Sequence, residues 1–352
     1  MRRQLNAVLL ACVIATAISV PRADAQNYPV QEEAQFRAID FDWVDPARGR
    51  PVPARLYWPA DALPGKVPLI VFSHGIGGSR NGYTYLSKRW AAQGVASLHV
   101  QHTGSDRTVW RGNPFEIVSR LQAAAHESEA AARAGDLRFA LDRILSKAEG
   151  PYATFVDRQR IVAAGHSYGA NTTLLAVGAR VMRDGRWLDF RDRRYKAAIV
   201  ISAPPFYGER DLSSVLANIS VPTLHVTSTE DVIRIPGYYS PASDRLAIFN
   251  AMASSRKHLV VFQGGSHSMF TDRALTGGAS LNPKVKDATA DVTLSFLDYA
   301  FGGDTSSLTR WEAAWRPILA QPSAEVRAPA VAAPIPAASH RTTLERAMVT
   351  SN

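Results

Sequence analysis

The sequence predicts one α/β domain: a mostly parallel central sheet with helices on both faces and an antiparallel pair at its N-terminal edge. Three observations predict it. Short apolar runs such as Val67–Phe72 and Ile161–Ala164 carry no polar interruption, as strands covered on both faces require. These runs alternate with helical stretches at the spacing of parallel crossovers. The loops at their carboxyl ends hold glycine, serine, histidine and aspartate, and open α/β sheets place their sites there.

Composition sets the bounds. The 352 residues are 46% hydrophobic, enough for a large core, and the formal charge is +9. Lysine and arginine are scattered, with no run that interleaves bases and aromatics, so a nucleic-acid partner is not expected. The densest basic cluster, Arg191-Asp192-Arg193-Arg194, reads as a solvated loop. Residues 1–25 have the three parts of a signal peptide: Arg2-Arg3, the apolar stretch Leu5 to Val20, and Ala23-Asp24-Ala25 before the cut. The expectation is an exported, bacterial protein, periplasmic or secreted, with no stable membrane insertion after cleavage. Cys12 is the only cysteine, so the mature chain would carry no thiol nucleophile, thiolate metal site or disulfide.

The domain is expected over 26–316. Tyr28 to Glu33 is extended or loose. Phe36–Trp43 and Pro53–Trp58 flank the turn residues Asp45 to Gly49 and form the antiparallel edge. Val67–Phe72 runs into the glycine-rich loop from Ser73 to Ser79. Tyr83–Gln93 is a helix stopped by Gly94, and Val95–Val100 is the next strand. Arg120 to Lys147 is helical by composition, in two pieces broken near Gly135, and Asp136 to Leu145 has amphipathic spacing. Arg183 to Arg194 reads as an inserted loop. Strands follow at Ala197–Ser202, Thr223–Ser228 and His258–Phe262, helices at Asp244–Ser254 and Asp287–Phe301. Residues 317–352, rich in Ala, Pro and Ser, read as a disordered tail.

The most informative stretch is Arg160 to Thr173. A buried strand, then Gly165-His166-Ser167-Tyr168-Gly169, then a helix start is the context of a nucleophile elbow. The turn strains Ser167, and the glycines on either side lack the Cβ atoms that would collide there. A serine hydroxyl needs a base, and the base needs a carboxylate to fix its tautomer. The chain order Ser, Asp or Glu, His selects Ser167, Asp231 and His267, each just after a predicted strand. Of nine histidines, His267 alone follows the last strand in a small-residue loop; His102 lies at a strand end but precedes the serine. Glu230 competes with Asp231, whereas Asp211 and Asp244 suit capping or surface roles. An oxyanion would take the backbone N–H of Tyr168 and a second N–H from the glycine-rich loop, that of Ile76. That loop lacks the lysine of a phosphate-binding loop.

At Phe72 to Gly78, Gln101 to Asp106, Arg160 to Ala170, Thr229-Glu230-Asp231 and Gly265-Ser266-His267 the sequence resembles the α/β-hydrolase superfamily. Within it the chain is most similar to the predicted dienelactone-hydrolase group and to bacterial relatives of platelet-activating-factor acetylhydrolase. The resemblance implies an α/β-hydrolase fold, a catalytic triad of Ser167, Asp231 and His267, and an oxyanion hole of the Ile76 and Tyr168 backbones. It implies cleavage of a small-molecule or lipid-like carboxylic ester through an acyl-enzyme, with no metal or organic cofactor. Dienelactone hydrolases proper use a cysteine nucleophile, and Ser167 departs from them. An acyltransferase on the same triad and a non-catalytic binding protein are the alternatives. Thr103 to Gly135 is expected to form a wall or lid, with Trp110 and Phe115 as candidate substrate contacts.

Overall fold

The computed structural model describes residues 36–235 and 238–321. The expected signal peptide, the loose stretch after it and most of the expected tail lie outside the described residues. Among the described residues no helix is long and apolar enough to cross a membrane.

The chain opens with β1 (Phe36–Asp45) and β2 (Arg50–Pro59), then β3 (Val67–Ser73), α1 (Thr84–Ala92) and β4 (Ala96–Val100). Next come α2 (Ile117–Ala124), α3 (Glu127–Ile144), the single turn α4 (Tyr152–Phe155), β5 (Val156–His166) and α5 (Tyr168–Val177). A hairpin, β6 (Arg180–Arg183) and β7 (Arg186–Asp189), precedes β8 (Ala197–Ile201), α6 (Leu212–Leu216) and β9 (Thr223–Ser228). A second hairpin, β10 (Ile233–Ile235) and β11 (Tyr238–Ser240), leads to α7 (Ser243–Ala251), β12 (Lys257–Phe262), α8 (Leu281–Gly302) and α9 (Ser306–Trp315).

Eight strands form one sheet in the order β1-β2-β4-β3-β5-β8-β9-β12. β1 pairs antiparallel with β2 and β2 with β4; every later pair is parallel. Alternation along the central strands explains the uninterrupted apolar runs. Leu69, Val71 and Ala163 face a core shared with Leu137 and Leu141 of α3 and Leu174 of α5. Ile70, Phe72, Val162 and Ala164 face the opposite core with Trp90 of α1, Phe296 of α8 and Trp311 of α9. Both faces are covered, so apolar residues dominate these strands, with buried polar side chains in β4 (Ser97, His99) and β9 (Thr223, His225, Thr227).

Several expectations need correction. The helical stretch breaks at Ala125-His126, where the His126 imidazole accepts from the Ser128 N–H and caps α3. Gly135 lies inside α3 instead; a Cβ there would sit 2.7 Å from Arg48 Nη1, so this glycine makes room for a side chain. Arg183 to Arg194 is a loop only in part: Arg186–Asp189 pairs with Arg180–Arg183, because Asp184 (φ 47°) and Gly185 (φ 73°) form the two-residue turn that right-twisted hairpins favour, and the irregular stretch is Phe190 to Arg194. The last long helix starts at Leu281, six residues before the expected Asp287, since Pro283 falls in its first turn where no intrahelical N–H bond is lost. Gly303 (φ 71°) then ends α8 and a further helix, α9, follows. Beyond Pro317 the chain stays paired for a few residues: Gln263 N–H donates to the Ile318 carbonyl and Ala320 N–H to Val261, covering the edge of β12.

Candidate active site

The chemistry gathers at the carboxyl ends of β3, β5, β8, β9 and β12. Ser167 sits between β5 and α5 with φ 57° and ψ −126°, a conformation that costs an L-residue energy. The close approach explains the flanking glycines. A Cβ on Gly169 would lie 1.9 Å from the Ser73 carbonyl oxygen, and one on Gly165 would lie 2.2 Å from that of Gly169.

Ser167 Oγ is 2.8 Å from His267 Nε2, and His267 Nδ1 is 2.8 Å from Asp231 Oδ1. With Nδ1–H donating to the carboxylate, Nε2 accepts from the serine hydroxyl. Asp231 is fully buried, and the Thr227 hydroxyl donates to its second oxygen at 2.8 Å. Burial works to raise the Asp231 carboxyl; the His267 charge and hydrogen bond, the Arg245 guanidinium and the Ser202 hydroxyl outweigh it and hold it well below the usual carboxylate range. Ser202, also at positive φ (54°), stands 2.7 Å from His267 Nδ1.

The three segments are braced from behind. His166 Nε2–H donates to the His267 carbonyl (3.1 Å), so His166 Nδ1 accepts from the Tyr83 hydroxyl (2.9 Å). That hydroxyl in turn accepts from the Gly75 N–H at 3.2 Å. Burial first, and the neighbouring His267 second, keep His166 well below its ordinary value and therefore neutral. His166 thus faces away from Ser167, yet it ties the elbow to the histidine loop.

The glycine-rich loop packs directly on the nucleophile: a Cβ on Gly75 would be 3.1 Å from Ser167 Cβ. The Gly75 carbonyl accepts from Gly78 N–H (3.0 Å) and from His74 Nδ1–H (2.7 Å), which fixes the plane of the Gly75–Ile76 peptide. The N–H groups of Ile76 and Tyr168 have no hydrogen-bond acceptor among the described residues. Both residues line the same cavity as Ser167. Two donors on adjacent segments beside a nucleophile can stabilise a tetrahedral oxyanion.

That cavity has a volume of about 340 Å³. Its lining is mostly apolar, from Ala125, Ala130 and Ala131, Leu175, Val181 and Leu188, Pro204 to Tyr207, and Ile233, Ile235 and Tyr238, with His126, Glu127, Asn171 and Arg183 as polar members. The stretch from Thr103 to Gly135 therefore supplies a wall, through α3 and the turn before it. Trp110 and Phe115 are not among the lining residues. Trp110 donates its ring N–H to the Gly77 carbonyl (2.9 Å), and Phe115 is 94% exposed. Their expected role as substrate contacts is corrected accordingly. Among the described residues no three His, Asp or Glu side chains are grouped to hold a metal ion.

The ferulic acid esterase from Streptomyces cinnamoneus is similar in structure, with a TM-score of 0.52 and 20% identity over 84% of this chain and 95% of that one. The fold is the α/β-hydrolase fold. A cold-adapted esterase from an Arctic intertidal metagenomic library is a further similar structure (TM-score 0.47, 17% identity, 73% of this chain, 96% of that one). The family model for platelet-activating factor acetylhydrolase, isoform II, matches residues 54–110, which run from β2 through the glycine-rich loop. Platelet-activating factor acetylhydrolase of Cavia porcellus is 22% identical over 279 residues, covering 68% of this chain. The match spans 58% of that relative's length. The chain thus has the α/β-hydrolase fold and is similar, over part of its length, to platelet-activating factor acetylhydrolase.

Sequence reasoning singled out Ser167, Asp231, His267, Ile76 and Tyr168, and the structure brings these five residues together. It passed over Ser202, Thr227, Tyr83 and Arg245. Ser202 had one available signal, a hydroxyl directly after a buried strand. Arg245 had none, lying on a helix whose pattern reads as ordinary.

Proposed function

We propose that this α/β-hydrolase is an exported serine carboxylic-ester hydrolase acting through an acyl-enzyme. The observation that carries the reading is the Ser167–His267–Asp231 chain, two contacts of 2.8 Å each, at the mouth of an apolar cavity. Ser167 Oγ attacks the ester carbonyl while His267 Nε2 takes its proton. The Ile76 and Tyr168 N–H groups stabilise the oxyanion. His267 then protonates the departing alcohol, and the acyl group stays on Ser167. Water, deprotonated by His267, attacks the acyl-enzyme, and His267 returns that proton to Ser167 Oγ as the acid leaves. Asp231 keeps the imidazole in the required tautomer and stabilises its charged form. Similarity to an acetylhydrolase and, in fold, to a ferulic acid esterase supports carboxylic esters as the substrate class. The apolar walls suit a short or medium acyl chain or a lipid-like group. Export rests on Arg2-Arg3, the apolar stretch after them and Ala23-Asp24-Ala25.

The test is fluorophosphonate labelling of the purified protein beside Ser167→Ala and His267→Ala, with p-nitrophenyl esters of graded chain length. Labelling and turnover that both require Ser167 are expected. A folded wild-type protein that neither labels nor turns over any ester would end the reading. Added alcohol acceptors test transfer: ester products in place of free acid would mark an acyltransferase.

A further inference from the structure

Behind the glycine-rich loop lies a second polar cluster, wholly buried, that the proposed reaction does not use. At its centre is Arg133 of α3, with no exposed surface. Its Nε donates to Thr172 Oγ1 in the first turns of α5 (3.0 Å), and Nη1 donates to Ser105 Oγ (2.7 Å). Its Nη2 donates to Ser73 Oγ (3.1 Å) and to the His74 carbonyl. The guanidinium also lies over the Tyr168 ring, 4.7 Å from its centroid. Burial brings this group down to about 10, which leaves it charged at neutral pH.

Two relays of hydrogen bonds carry its charge to carboxylates. Ser105 passes it to Glu129 (2.7 Å). Along the other path, His102 Nδ1 donates to Asp136 (3.0 Å), so His102 Nε2 accepts from the Ser73 hydroxyl (2.9 Å), whose oxygen accepts from Arg133. Ser73, His102 and Asp136 therefore repeat the contact pattern of a catalytic triad. All three are fully buried, and the Ser73 oxygen is already engaged by a cation, so the array holds no nucleophile. Its direction is that of a charge support.

We infer that Arg133 is a positioning residue that clamps the glycine-rich loop to the nucleophile helix and so sets the spacing of the two oxyanion donors. The inference rests on the hydrolase reading above. The donors belong to different segments: Ile76 follows β3, and Tyr168 opens α5. Ladder pairing of β3 with β5 ends at Ser73 opposite Gly165, before either donor is reached. Past that point Arg133 spans both segments, through the His74 carbonyl on one side and Thr172 with the Tyr168 ring on the other, while Tyr83 joins Gly75 to His166 on the opposite side of the loop. Oxyanion stabilisation requires both N–H groups within about 2.7–3.1 Å of one oxygen, so a loosened loop acts on the transition state more than on the bound ester.

The experiment uses Arg133→Lys and Thr172→Val in the full chain, with two readouts. The first is ester kinetics together with inhibition by a trifluoromethyl ketone, which forms a tetrahedral adduct. For Arg133→Lys kcat should fall roughly ten- to a hundredfold with KM within about threefold, the inhibitor should weaken by the same factor, and the pH midpoint should stay in place. Thr172→Val should lower kcat several-fold. The second readout is backbone hydrogen exchange of the loop from His74 to Gly78, which should quicken in both variants. Unchanged kcat and unchanged exchange in a folded Arg133→Lys would overturn the inference. Should Arg133→Lys fail to fold, Thr172→Val decides on the same two criteria. Should the wild type turn over no ester, the hydrolase reading falls, and exchange alone decides the clamp: loss of protection upholds it, unaltered protection refutes it.

Discussion

The guanidinium of Arg245 stands 3.6 Å from Asp231 Oδ2, the carboxylate oxygen that His267 does not engage. Arg245 is 3% exposed; its Nη1 donates to Ser240 Oγ and the Pro241 carbonyl, while Nε and Nη2 have no hydrogen-bond acceptor among the described residues. The Arg245 charge is one of the groups that hold the Asp231 carboxyl below the usual carboxylate range, so Arg245→Gln should raise the pH at which that carboxylate is lost. Activity as kcat/KM should then fall more steeply toward acid than in wild type, with Arg245→Lys close to wild type. A pH–rate profile of the three proteins checks this.

Asp231→Asn keeps the size of the side chain but can donate to His267 and leave it in the wrong tautomer. By the precedent of other serine triads, kcat should fall by about 10⁴-fold. Thermal unfolding monitored in parallel should still show a cooperative transition, which separates lost chemistry from lost fold.

Gly169→Ala asks a Cβ to occupy space 1.9 Å from the Ser73 carbonyl oxygen, and both groups are backbone-anchored. Neither can yield without parting α5 from β3. The variant should lose more than about 3 kcal/mol in urea unfolding, at the upper end for single substitutions. Gly303→Ala, with nothing within 4 Å but φ 71°, should cost only about 1 kcal/mol.

Acid sensitivity follows from histidines buried as neutral bases. Burial lowers His99 and His225 to about 3 each. The folded value lies below the unfolded value of about 6.5, so the unfolded chain binds the proton first as pH falls. The stability these groups contribute is present above pH 6.5 and is lost between there and about 3, at about 1.4 kcal/mol per pH unit for each. His225→Leu should make the fall of stability between pH 6 and 4 shallower by that amount, measured as urea-unfolding free energy at fixed temperature.

Ala130 lies on the cavity wall, partly buried, on the first turn of α3. Ala130→Phe should shorten the longest acyl chain accepted. Excluding three methylenes at about 0.8 kcal/mol each corresponds to roughly fiftyfold in the ratio of long- to short-chain kcat/KM. Graded p-nitrophenyl esters measure that ratio, and turnover of the acetyl ester should change little.

What the sequence made legible follows from what is local. The central strands announce themselves because burial on both faces favours short, mostly apolar runs, and Ser167, Asp231 and His267 each stand a few positions past such a run. Properties that depend on distant neighbours stayed hidden. Arg133 gathers partners from the β3 loop, the turn after β4 and α5, and nothing in its own stretch of α3 marks it. Gly135 looks like a helix break because a glycine that makes room for Arg48 cannot be told from one that ends a helix. Asp184-Gly185 is a hairpin signal, but the charges around it suggest a solvated loop. Trp110 and Phe115 drew attention as aromatics in a long insertion; whether they meet the cavity was a question of packing alone.

Ser167, Asp231 and His267 follow the ends of sheet strands, whereas much of the cavity beside Ser167 is lined from α3, the turn before it and two small hairpins outside the eight-stranded sheet, with α5 and Pro204 to Tyr207 adding the remainder. Under the proposed hydrolase reading, the groups that break the bond and much of the surface that receives the substrate thus sit on different elements. Val181, Leu188, Ile233 and Ile235 can then be varied to change which esters are accepted while Ser167, Asp231 and His267 stay as they are.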